Sequence, residues 1–552
     1  MLKIKFTSSL EKVFKDESFE SVSEIFCLSA LKNERISFQI AAEIVDTEMF
    51  SEQYSVEISG ELARFATVRE VISVPVTLAT FPCGFSDDNN IRTTPGLYPD
   101  LLMPLRYDNT LRVNKDFVSS LWIELDLRDA KDIIAGTYPI SVKLSNEKES
   151  AEVTLTIEII DALLPEEDIT FTEWFYTDCL ANYYNVEAFS EKHWEIIENF
   201  AKTAVKNGIN LLLTPTFTPP LDTAVGGERL TTQLVGVEKS DGTYRFNFDL
   251  LDRWIDMCDR IGVKYFEIAH FFTQWGAKHA PKVMATVNGE YKKIFGWETD
   301  ATDPEYTYFL RSFIKAFLEH MKARGDDKRC FFHVSDEPKS EQLESYKAAK
   351  DTIKDLLVGY PIMDALSNYE FYRDGIVELP IPTNNHITPF LENNVQNLWT
   401  YYCCGQWDKV SNRFIAMPSA RNRSIGMQMY KHSIVGFLHW GYNFYNTQYS
   451  HSPIDPYRDT SGDGWVPAGD CFSVYPAPDG TAYETMRIIV FYEALQDIKA
   501  MKLAEKLCGR ETVISAIENA FGRAIAFDEC ARVPDEILRV RESVNNLIKS
   551  NI

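Results

Sequence analysis

The sequence lacks a surplus of basic residues. Its 56 lysines and arginines face 81 aspartates and glutamates, which gives a formal net charge of −25 at pH 7. A protein that binds nucleic acid or an anionic membrane needs clustered positive charge to neutralise phosphates. The composition therefore argues against both kinds of partner.

Long apolar runs are also missing. The N-terminus, MLKIKFTSSLEKVFKDESFE, has no apolar signal-peptide core. No segment approaches the roughly 18 apolar residues of a membrane helix. We therefore expect a cytoplasmic location without membrane insertion.

Cysteines are scattered along the chain. The ten cysteines include one close pair, Cys403 and Cys404, and none has the CxxC or Cys/His spacing of a zinc site. This spacing predicts free, mostly buried thiols and no metal site.

Apolar residues, by contrast, are plentiful, and in the first 164 residues they alternate with polar ones. The 552 residues are 45% hydrophobic, which allows a large core in two or three domains. Period-two segments include ISFQIAAEIV, YSVEISG, SLWIELDLR, GTYPISVKLS and AEVTLTIEII, with a predicted hairpin turn at residues 146–148. The pattern predicts an N-terminal antiparallel β-sandwich domain over residues 1–164, followed by a linker at residues 164–168.

From Ile169 onwards, strand-like runs alternate with amphipathic helices. The predicted strands are ITFTEWFY, GINLLLTP, KYFEIAH, CFFHVSDEP, LLVGYPIMDAL, GIVELPIP, NLWTYYC and GFLHWGYN. About eight such units predict a catalytic (β/α)8 TIM barrel over residues 169–507, with a C-terminal helical extension over residues 508–552. A doubly wound open sheet is the alternative, but no glycine-rich phosphate loop follows the first strand.

The segment RCFFHVSDEP, at residues 329–338, ends in two adjacent carboxylates. Pro338 lacks an N–H and restricts the residue before it, so the fourth predicted strand should stop at Asp336 and Glu337. In barrels of this kind the chemistry lies at the C-terminal ends of the strands. An acidic turn before a helix is the structural alternative. Because the neighbouring strands end in aromatic residues, we favour a catalytic pair.

Polar and aromatic residues close the other predicted strands. Aromatic rings can stack on the C–H faces of a sugar while polar groups bind its hydroxyls, and no Arg/Lys cluster suited to an anionic metabolite is present. The structural alternatives are rim packing, a core histidine and helix caps. The predicted sugar-binding residues are Tyr176, Asp178, His270, Trp275, Asp364, Trp399, Tyr401, Trp440, Asn443 and Tyr445.

The adjacency of Asp336 and Glu337 predicts a mechanism. Neighbouring strand residues point to opposite sides, so this pair cannot easily flank a bond like the carboxylates of an ordinary retaining glycosidase, which stand about 5–5.5 Å apart. It can act if the substrate's 2-acetamido group is the nucleophile. Glu337 would then be the acid/base, and Asp336 would orient the acetamido N–H and stabilise an oxazolinium-type intermediate. Proximity of the two carboxylates should raise one pKa, which suits Glu337 as an acid.

Several segments, in order, resemble glycoside hydrolase family 123, the exo-acting β-N-acetylgalactosaminidases. They are FTEWFYTDCLANYYNVEAFSEKHW, FFHVSDEP, NLWTYYCCGQ, NRFIAMPSARNR, GFLHWGYNFY, SGDGWVPAGDCFSVYPAPDG and RIIVFYEALQD. The resemblance implies a β-sandwich ahead of a (β/α)8 barrel, substrate-assisted retention, and no metal or organic cofactor. It also implies Glu337 as acid/base, Asp336 as the acetamido-orienting residue, and Trp399 with Trp440 as a sugar platform. Either Tyr401 or Tyr445 would donate a hydrogen bond to the acetamido carbonyl.

The leading hypothesis is a retaining glycosidase that releases terminal non-reducing β-linked N-acetylgalactosamine from glycans, including glycosphingolipid oligosaccharides. A β-N-acetylglucosaminidase or mixed hexosaminidase with the same pair is the enzymatic alternative. A catalytically dead carbohydrate-binding protein is the other. The Asp336–Glu337 pair disfavours it, because binding alone needs no acid beside an orienting carboxylate. The sequence gives no indication of the oligomeric state.

Overall fold

The computed structural model describes residues 1–81, 89–106, 109–166 and 169–552. Part of the linker predicted at residues 164–168 lies outside the described residues, because Glu167 and Asp168 fall in a gap. None of the helices in the described part of the chain has the length and apolar character needed to span a bilayer.

Two five-stranded sheets form the N-terminal region. Their strands are β1 (Leu2–Ser8), β2 (Cys27–Leu31), β3 (Arg35–Ile44), β4 (Ser51–Ser59), β5 (Ala66–Val76), β6 (Gly96–Pro104), β7 (Thr110–Asn114), β8 (Ser119–Asp126), β9 (Gly136–Ser145) and β10 (Ser150–Ile160). The first sheet has the order β1-β3-β8-β5-β6 and the second β2-β10-β9-β4-β7. Neighbouring strands are antiparallel, except that β2 runs parallel to β10.

The alternating apolar residues of the two sheets meet in one core. Phe38 and Ile40 of β3 share a buried cluster with Val142 and Leu144 of β9. The predicted hairpin between β9 and β10 is confirmed, since these strands pair in antiparallel and the Asn146 side chain accepts hydrogen bonds from the Lys148 and Glu149 amides. The sequence thus correctly predicts a β-rich N-terminal region.

The remaining strands are short. They are β11 (Thr170–Glu173), β12 (Leu211–Thr214), β13 (Gly236–Ser240), β14 (Thr243–Asn247), β15 (Tyr265–Ile268), β16 (Val283–Val287), β17 (Glu290–Phe295), β18 (Cys330–Phe331), β19 (Met363–Ala365), β20 (Leu379–Ile381), β21 (Trp399–Tyr401), β22 (Gly436–His439), β23 (Val474–Pro476) and β24 (Ala482–Glu484). Each of the eight predicted parallel strands contains one of them, namely β11, β12, β15 and β18 to β22.

These eight strands pair in parallel within three groups, β11-β22-β21, β12-β15-β18 and β19-β20. Single parallel bridges join Phe332 to Ile362 and Thr383 to Tyr401. Beside β11, the Asn210 amide donates to the Phe171 carbonyl at 3.0 Å. The regular ladders stop between the groups, so the strands form separate short sheets and not the continuous barrel ladder that the sequence predicts.

Helices follow most of the parallel strands, as the alternating pattern predicts. Their ends have the expected signals: the Asp303 side chain caps α4 ahead of Pro304, and Gly325 ends it with φ +83°. The helices are α1 (Thr177–Tyr184), α2 (Glu191–Lys206), α3 (Asp249–Ile261), α4 (Pro304–Arg324), α5 (Leu343–Asp351), α6 (Tyr369–Arg373), α7 (Thr388–Glu392), α8 (Ser419–Lys431), α9 (Met486–Cys508), α10 (Arg510–Phe521) and α11 (Pro534–Ser550).

A small sheet of order β14-β13-β16-β17 holds two long loops in place. One loop connects β12 to β13 and carries Asp222, and the other connects β15 to β16 and carries Trp275. Each loop therefore has one end anchored in this small sheet.

Candidate active site

Asp336 and Glu337 line one cavity with a volume of about 110 Å³. Its wall is rich in aromatic side chains and contains a third carboxylate, Asp222. The full wall comprises Trp174, Tyr176, Leu221, Asp222, Trp275, Asp336, Glu337, Ala365, Tyr401, Cys403, Cys404, Leu438, Trp440 and Trp465.

The two catalytic candidates lie beyond the regular end of β18. The Trp275 amide donates to the Asp336 carbonyl at 2.8 Å, and the Glu337 amide donates to the Ala365 carbonyl at 3.0 Å. Glu337 has a left-handed backbone with φ +41°, a strained conformation for this residue type. This turn breaks the strand alternation, so both carboxylates reach one cavity. The regular strand alternation expected for the pair is therefore not kept at Glu337.

The environment of the pair disfavours two negative charges. Burial and the neighbouring Glu337 charge raise the pKa of Asp336 well above its ordinary value. Burial also raises the pKa of Glu337, while a hydrogen bond from Tyr401 opposes that rise. The Tyr401 hydroxyl donates to Glu337 Oε1 at 2.5 Å. The two carboxyl groups therefore titrate as a pair, and the pair keeps a proton to higher pH than an isolated carboxyl group does.

A buried histidine connects two carboxylates behind the cavity wall. His333 Nε2 lies 2.7 Å from Glu267 Oε1, and His333 Nδ1 lies 3.1 Å from Asp364 Oδ1. Burial opposes a positive charge on His333, but the hydrogen bonds to Asp364 and Glu267 outweigh it and raise the pKa of His333 to about 9. Glu267 also accepts the indole N–H of Trp174 at 2.7 Å, which connects the group to the wall.

His270, His333 and Asp364 are the group of potential metal ligands found among the described residues. Their donor atoms lie within 4.8 Å of one another, and the two imidazole rings stack with centroids 4.1 Å apart. However, both His333 nitrogens face carboxylate oxygens, whereas a metal ligand must offer a free lone pair. The arrangement is that of a hydrogen-bonded ion pair.

Four of the predicted sugar-binding residues do line the cavity, namely Tyr176, Trp275, Tyr401 and Trp440. Trp440 is held by a 2.8 Å hydrogen bond from its indole N–H to Asp470. The Tyr176 hydroxyl is buried and has no hydrogen-bond partner within the described ranges. It is thus available to a ligand in the cavity.

Three predicted residues are buried behind the wall instead. Asp178 is ion-paired with Arg229, with N–O distances of 2.7 and 2.8 Å. Asp364 bonds to His333, and His270 stacks on that ring. Their side chains face the protein interior, so the structure does not support direct contact with a sugar.

The last three predicted residues also have structural contacts. Trp399 packs flat against Gly436 of the neighbouring strand, where a Cβ would lie 2.0 Å from the indole. The Asn443 side chain bonds the backbone amide and carbonyl of Tyr176 at 2.8 and 3.0 Å. The Tyr445 hydroxyl donates to the Val474 carbonyl at 2.9 Å. None of the three is on the cavity wall, which corrects the expected Trp399 platform.

Asp222 and Trp465 are wall residues that the sequence analysis did not identify. Asp222 Oδ2 accepts the Tyr449 amide at 3.1 Å, and burial raises the pKa of Asp222 to about 6. Trp465 belongs to the segment SGDGWVPAGD, which contributes to the family resemblance, so a signal for it was present. Asp222 follows a proline-containing loop without a recognisable motif.

Comparisons with known proteins give a family match. The model of the glycoside hydrolase 123 catalytic domain matches residues 174–504, more than half of the chain. No curated protein sequence matches.

One solved structure has a similar fold over the whole chain, and two others show only weak similarity. A family 123 glycoside hydrolase from Clostridium perfringens, described by its glycolipid glycan hydrolysis, has a TM-score of 0.74 at 15% identity, covering 100% of this chain and 98% of that one. A Bacteroides uniformis β-glucuronidase has a TM-score of 0.31 at 10% identity, covering 90% of this chain and 51% of that one. An Ig-like-domain GH10 xylanase from termite gut has a TM-score of 0.33 at 11% identity, covering 67% and 87%.

Proposed function

This chain belongs to glycoside hydrolase family 123, and we propose that it releases terminal non-reducing β-linked N-acetylgalactosamine from glycans by substrate-assisted retaining catalysis. The observation that carries the proposal is the convergence of Asp336 and Glu337 on one aromatic-walled cavity. Glycosphingolipid oligosaccharides are the natural substrates we favour, because the similar Clostridium perfringens enzyme is described by its hydrolysis of glycolipid glycans.

The fold that we propose is a (β/α)8 barrel behind an N-terminal β-sandwich. The three parallel groups, the two parallel bridges and the hydrogen bond from Asn210 to Phe171 support this arrangement of eight strands in chain order. Wall residues Ala365 and Tyr401 end β19 and β21, and Trp440 follows β22, as expected for chemistry at the C-terminal strand ends. The domain limits at residues 1–164, 169–507 and 508–552 stay predictions.

In the first step, the acetamido carbonyl oxygen attacks the anomeric carbon as the bond to the leaving oxygen breaks. Glu337 donates its proton to that oxygen, and the sugar becomes a bicyclic oxazolinium ion. Asp336 accepts the acetamido N–H and its negative charge compensates the positive charge that develops.

In the second step, Glu337 removes a proton from a water molecule that attacks the anomeric carbon. The bond to the acetamido oxygen breaks, and the acetamido group is restored. Two inversions at the same carbon give net retention, and Glu337 regains its proton for the next cycle.

The wall residues supply binding and orientation. Tyr401 is the better candidate to donate to the acetamido carbonyl, since it lies on the cavity wall beside Glu337 and Tyr445 does not. Trp440 and Trp465, with ring centroids 5.7 Å apart, offer an aromatic surface to the sugar ring. The free Tyr176 hydroxyl and the Asp222 carboxylate are suited to sugar hydroxyls.

The proposal is tested by nitrophenol release from the β-GalNAc and β-GlcNAc glycosides, with wild type beside Glu337→Gln and Asp336→Asn. We expect wild-type turnover on the GalNAc glycoside and a loss of at least about 100-fold in both variants. Preference for the GlcNAc glycoside would be consistent with the proposed mechanism but would refute the proposed specificity for N-acetylgalactosamine. If neither aryl glycoside nor a glycosphingolipid oligosaccharide ending in β-GalNAc is hydrolysed, the proposed function is wrong.

A further inference from the structure

Asp470 is a buried residue in contact with Trp440, one of the aromatic side chains on the cavity wall. The segments that carry the two residues run side by side, since the Ser473 amide donates to the Tyr442 carbonyl at 3.0 Å. At Gly441 their approach is so close that a Cβ would lie 2.5 Å from the Asp470 carbonyl oxygen. The backbone therefore fixes Asp470 next to Trp440.

Two nitrogen atoms face the two oxygens of the Asp470 carboxyl group. The Trp440 indole N–H donates to Oδ2 at 2.8 Å, and His439 Nε2 lies 3.5 Å from Oδ1. Burial and the charges of two nearby arginines lower the pKa of His439 well below its ordinary value, so its imidazole is neutral. Because its Nδ1 accepts the Gly441 amide at 3.0 Å, the proton of the neutral ring must be on Nε2.

This arrangement requires an acceptor at both oxygens. Neither His439 Nε2 nor Asp470 Oδ1 has a hydrogen-bond partner elsewhere in the described ranges. A carboxylate offers lone pairs on both oxygens, so it can face both N–H groups at once. An amide or a protonated carboxyl group would place an N–H or O–H opposite one of them, which weakens the contact with the indole.

The groups around Asp470 make its charge sensitive to pH. Burial raises the pKa of Asp470 to about 7, although the indole hydrogen bond and the charges of Arg413 and Arg487 oppose that rise. The nearby thiols are uncharged, because burial raises the pKa of Cys471, and a hydrogen bond between thiols together with burial raises the pKa of Cys403, both well above the ordinary value. The carboxyl group is therefore mostly charged at pH 8 and mostly protonated at pH 5.5.

We propose that Asp470 is a positioning residue that holds the Trp440 indole against the sugar ring, and that it does so only as a carboxylate. The inference rests on the proposed function, because it concerns binding of the same sugar. Stacking on the sugar face stabilises the bound substrate and the transition state alike, so a weaker contact should raise KM and leave kcat nearly unchanged.

Asp470→Asn tests the proposal, because the amide keeps the shape and one acceptor but replaces the second acceptor by a donor. Values of kcat and KM on the aryl β-GalNAc glycoside are measured in stopped assays at pH 8 and pH 5.5. Asp459→Asn is the control from the same loop, where the Asp459 carboxylate accepts the Ser461 amide. We expect the KM of Asp470→Asn to exceed that of wild type by about tenfold at pH 8 and by less than about twofold at pH 5.5.

The comparison at each pH cancels the titration of the catalytic pair and of Asp222, which both proteins share. The kcat of Asp470→Asn should stay within about threefold of wild type, and the control should stay within about twofold in both constants. A wild-type KM at pH 8 refutes the positioning role. An equal rise in KM at the two pH values refutes the requirement for a carboxylate.

A double-mutant cycle identifies the group through which Asp470 acts. Trp440→Phe keeps an aromatic ring and removes the indole N–H. If Asp470 acts through the indole, adding Asp470→Asn to Trp440→Phe should change KM by less than about twofold at pH 8. A further rise of about tenfold in that background refutes the assignment of Trp440 as the group that Asp470 positions.

A second measurement depends neither on turnover nor on the folding of Asp470→Asn. In wild type labelled with ¹⁵N-tryptophan, the indole N–H resonance of Trp440 is assigned by its absence from Trp440→Phe. We expect this resonance to shift between pH 5.5 and pH 8, with a midpoint near the pKa of Asp470. A resonance that stays in place overturns the proposal.

The outcomes separate the two claims. An active wild type with an unchanged KM in Asp470→Asn refutes the positioning role and leaves the proposed function standing. A wild type that hydrolyses neither aryl N-acetylhexosaminide nor the glycosphingolipid oligosaccharide refutes the proposed function, and sugar positioning falls with it. The hold of Asp470 on Trp440 is then judged by the indole resonance alone, where titration supports it and a constant position overturns it.

Discussion

The Tyr401 hydroxyl donates a hydrogen bond to Glu337 Oε1 across 2.5 Å inside the aromatic cavity. This contact orients the proposed acid/base and leaves the other carboxyl oxygen to carry the transferable proton. The hydroxyl carries a single proton, so donating to the acetamido carbonyl of a bound substrate requires Tyr401 to release Glu337. We expect Tyr401 to exchange the one partner for the other when the substrate binds.

Tyr401→Phe should lower kcat by about 100-fold, the usual loss when one donor to a reacting group is removed. Tyr445→Phe is the matched control, because its hydroxyl bonds the Val474 carbonyl away from the cavity. We expect its kcat to stay within about twofold of wild type. Steady-state kinetics on the aryl glycoside measure both, and the reverse ranking would assign the acetamido contact to Tyr445.

Asp222→Asn tests whether Asp222, the third carboxylate on the cavity wall, binds sugar hydroxyls. No cation in the described part of the chain forms an ion pair with Asp222, and its backbone has φ +40°. Replacing the charged acceptor for sugar hydroxyls should raise KM by about tenfold with a smaller change in kcat. Asp241→Asn, in the exposed turn between β13 and β14, is the control. An unchanged KM for Asp222→Asn would exclude this hydroxyl contact.

The parallel strands were predictable because each is a short apolar run between helical segments. The strands of the N-terminal sheets were less predictable from the sequence. β6 contains Pro99 and Pro104, and β2 has only five residues, so neither has a period-two signal. The parallel pairing of β2 with β10 depends on contacts between distant segments, which an alternating pattern does not encode.

The candidate site likewise contains some residues that the sequence predicts and others that it does not. Tyr401 and Trp440 were predictable because a strand end fixes where they lie. Asp222 was not, because its loop is placed by the Tyr449 amide and by the Ser450 hydroxyl, both more than 200 positions away in sequence. Asp178 was misassigned since helix α1 begins at Thr177 and turns that side chain toward Arg229, a partner the strand pattern could not indicate.

Asp178→Asn distinguishes a structural from a sugar-binding role. The variant leaves the buried Arg229 guanidinium without its ion partner, which should cost about 3 kcal/mol of unfolding free energy. Because Asp178 is not on the cavity wall, KM should change little in the folded fraction. Denaturant unfolding and steady-state kinetics measure the two effects. A raised KM with unchanged stability would instead restore the sugar contact.

Glu493 and Asp497, one turn apart on α9, should affect stability with opposite signs. Burial raises the pKa of Glu493 to about 7, although Arg423 opposes this rise. Burial also disfavours the charge of Asp497, but Arg423 and Arg541 outweigh it and lower the pKa of Asp497 below its ordinary value. Both carboxylates accept hydrogen bonds from Arg423, so the two variants change contacts to the same arginine.

The Glu493 carboxyl group binds more protons in the folded than in the unfolded protein between its ordinary pKa of 4.5 and about 7. Stability should fall as the pH rises through that window. Glu493→Gln keeps an acceptor for Ser9 and Arg423 and removes the charge, so it should raise the unfolding free energy by about 1–3 kcal/mol at pH 8. The gain should vanish near pH 4.

The Asp497 contribution has the opposite sign, since its stabilisation is complete above the ordinary pKa of 3.8 and is lost as the pH falls through the lower folded value. Asp497→Asn should therefore lose about 3–5 kcal/mol at pH 8, where two buried arginines lose a charged partner. Thermal and denaturant unfolding of both variants at pH 4 and pH 8 measure the pair. If Glu493→Gln is destabilised at pH 8 as Asp497→Asn is, then Glu493 is charged at that pH and supports the Arg423 ion pair, and the predicted cost of its charge is wrong.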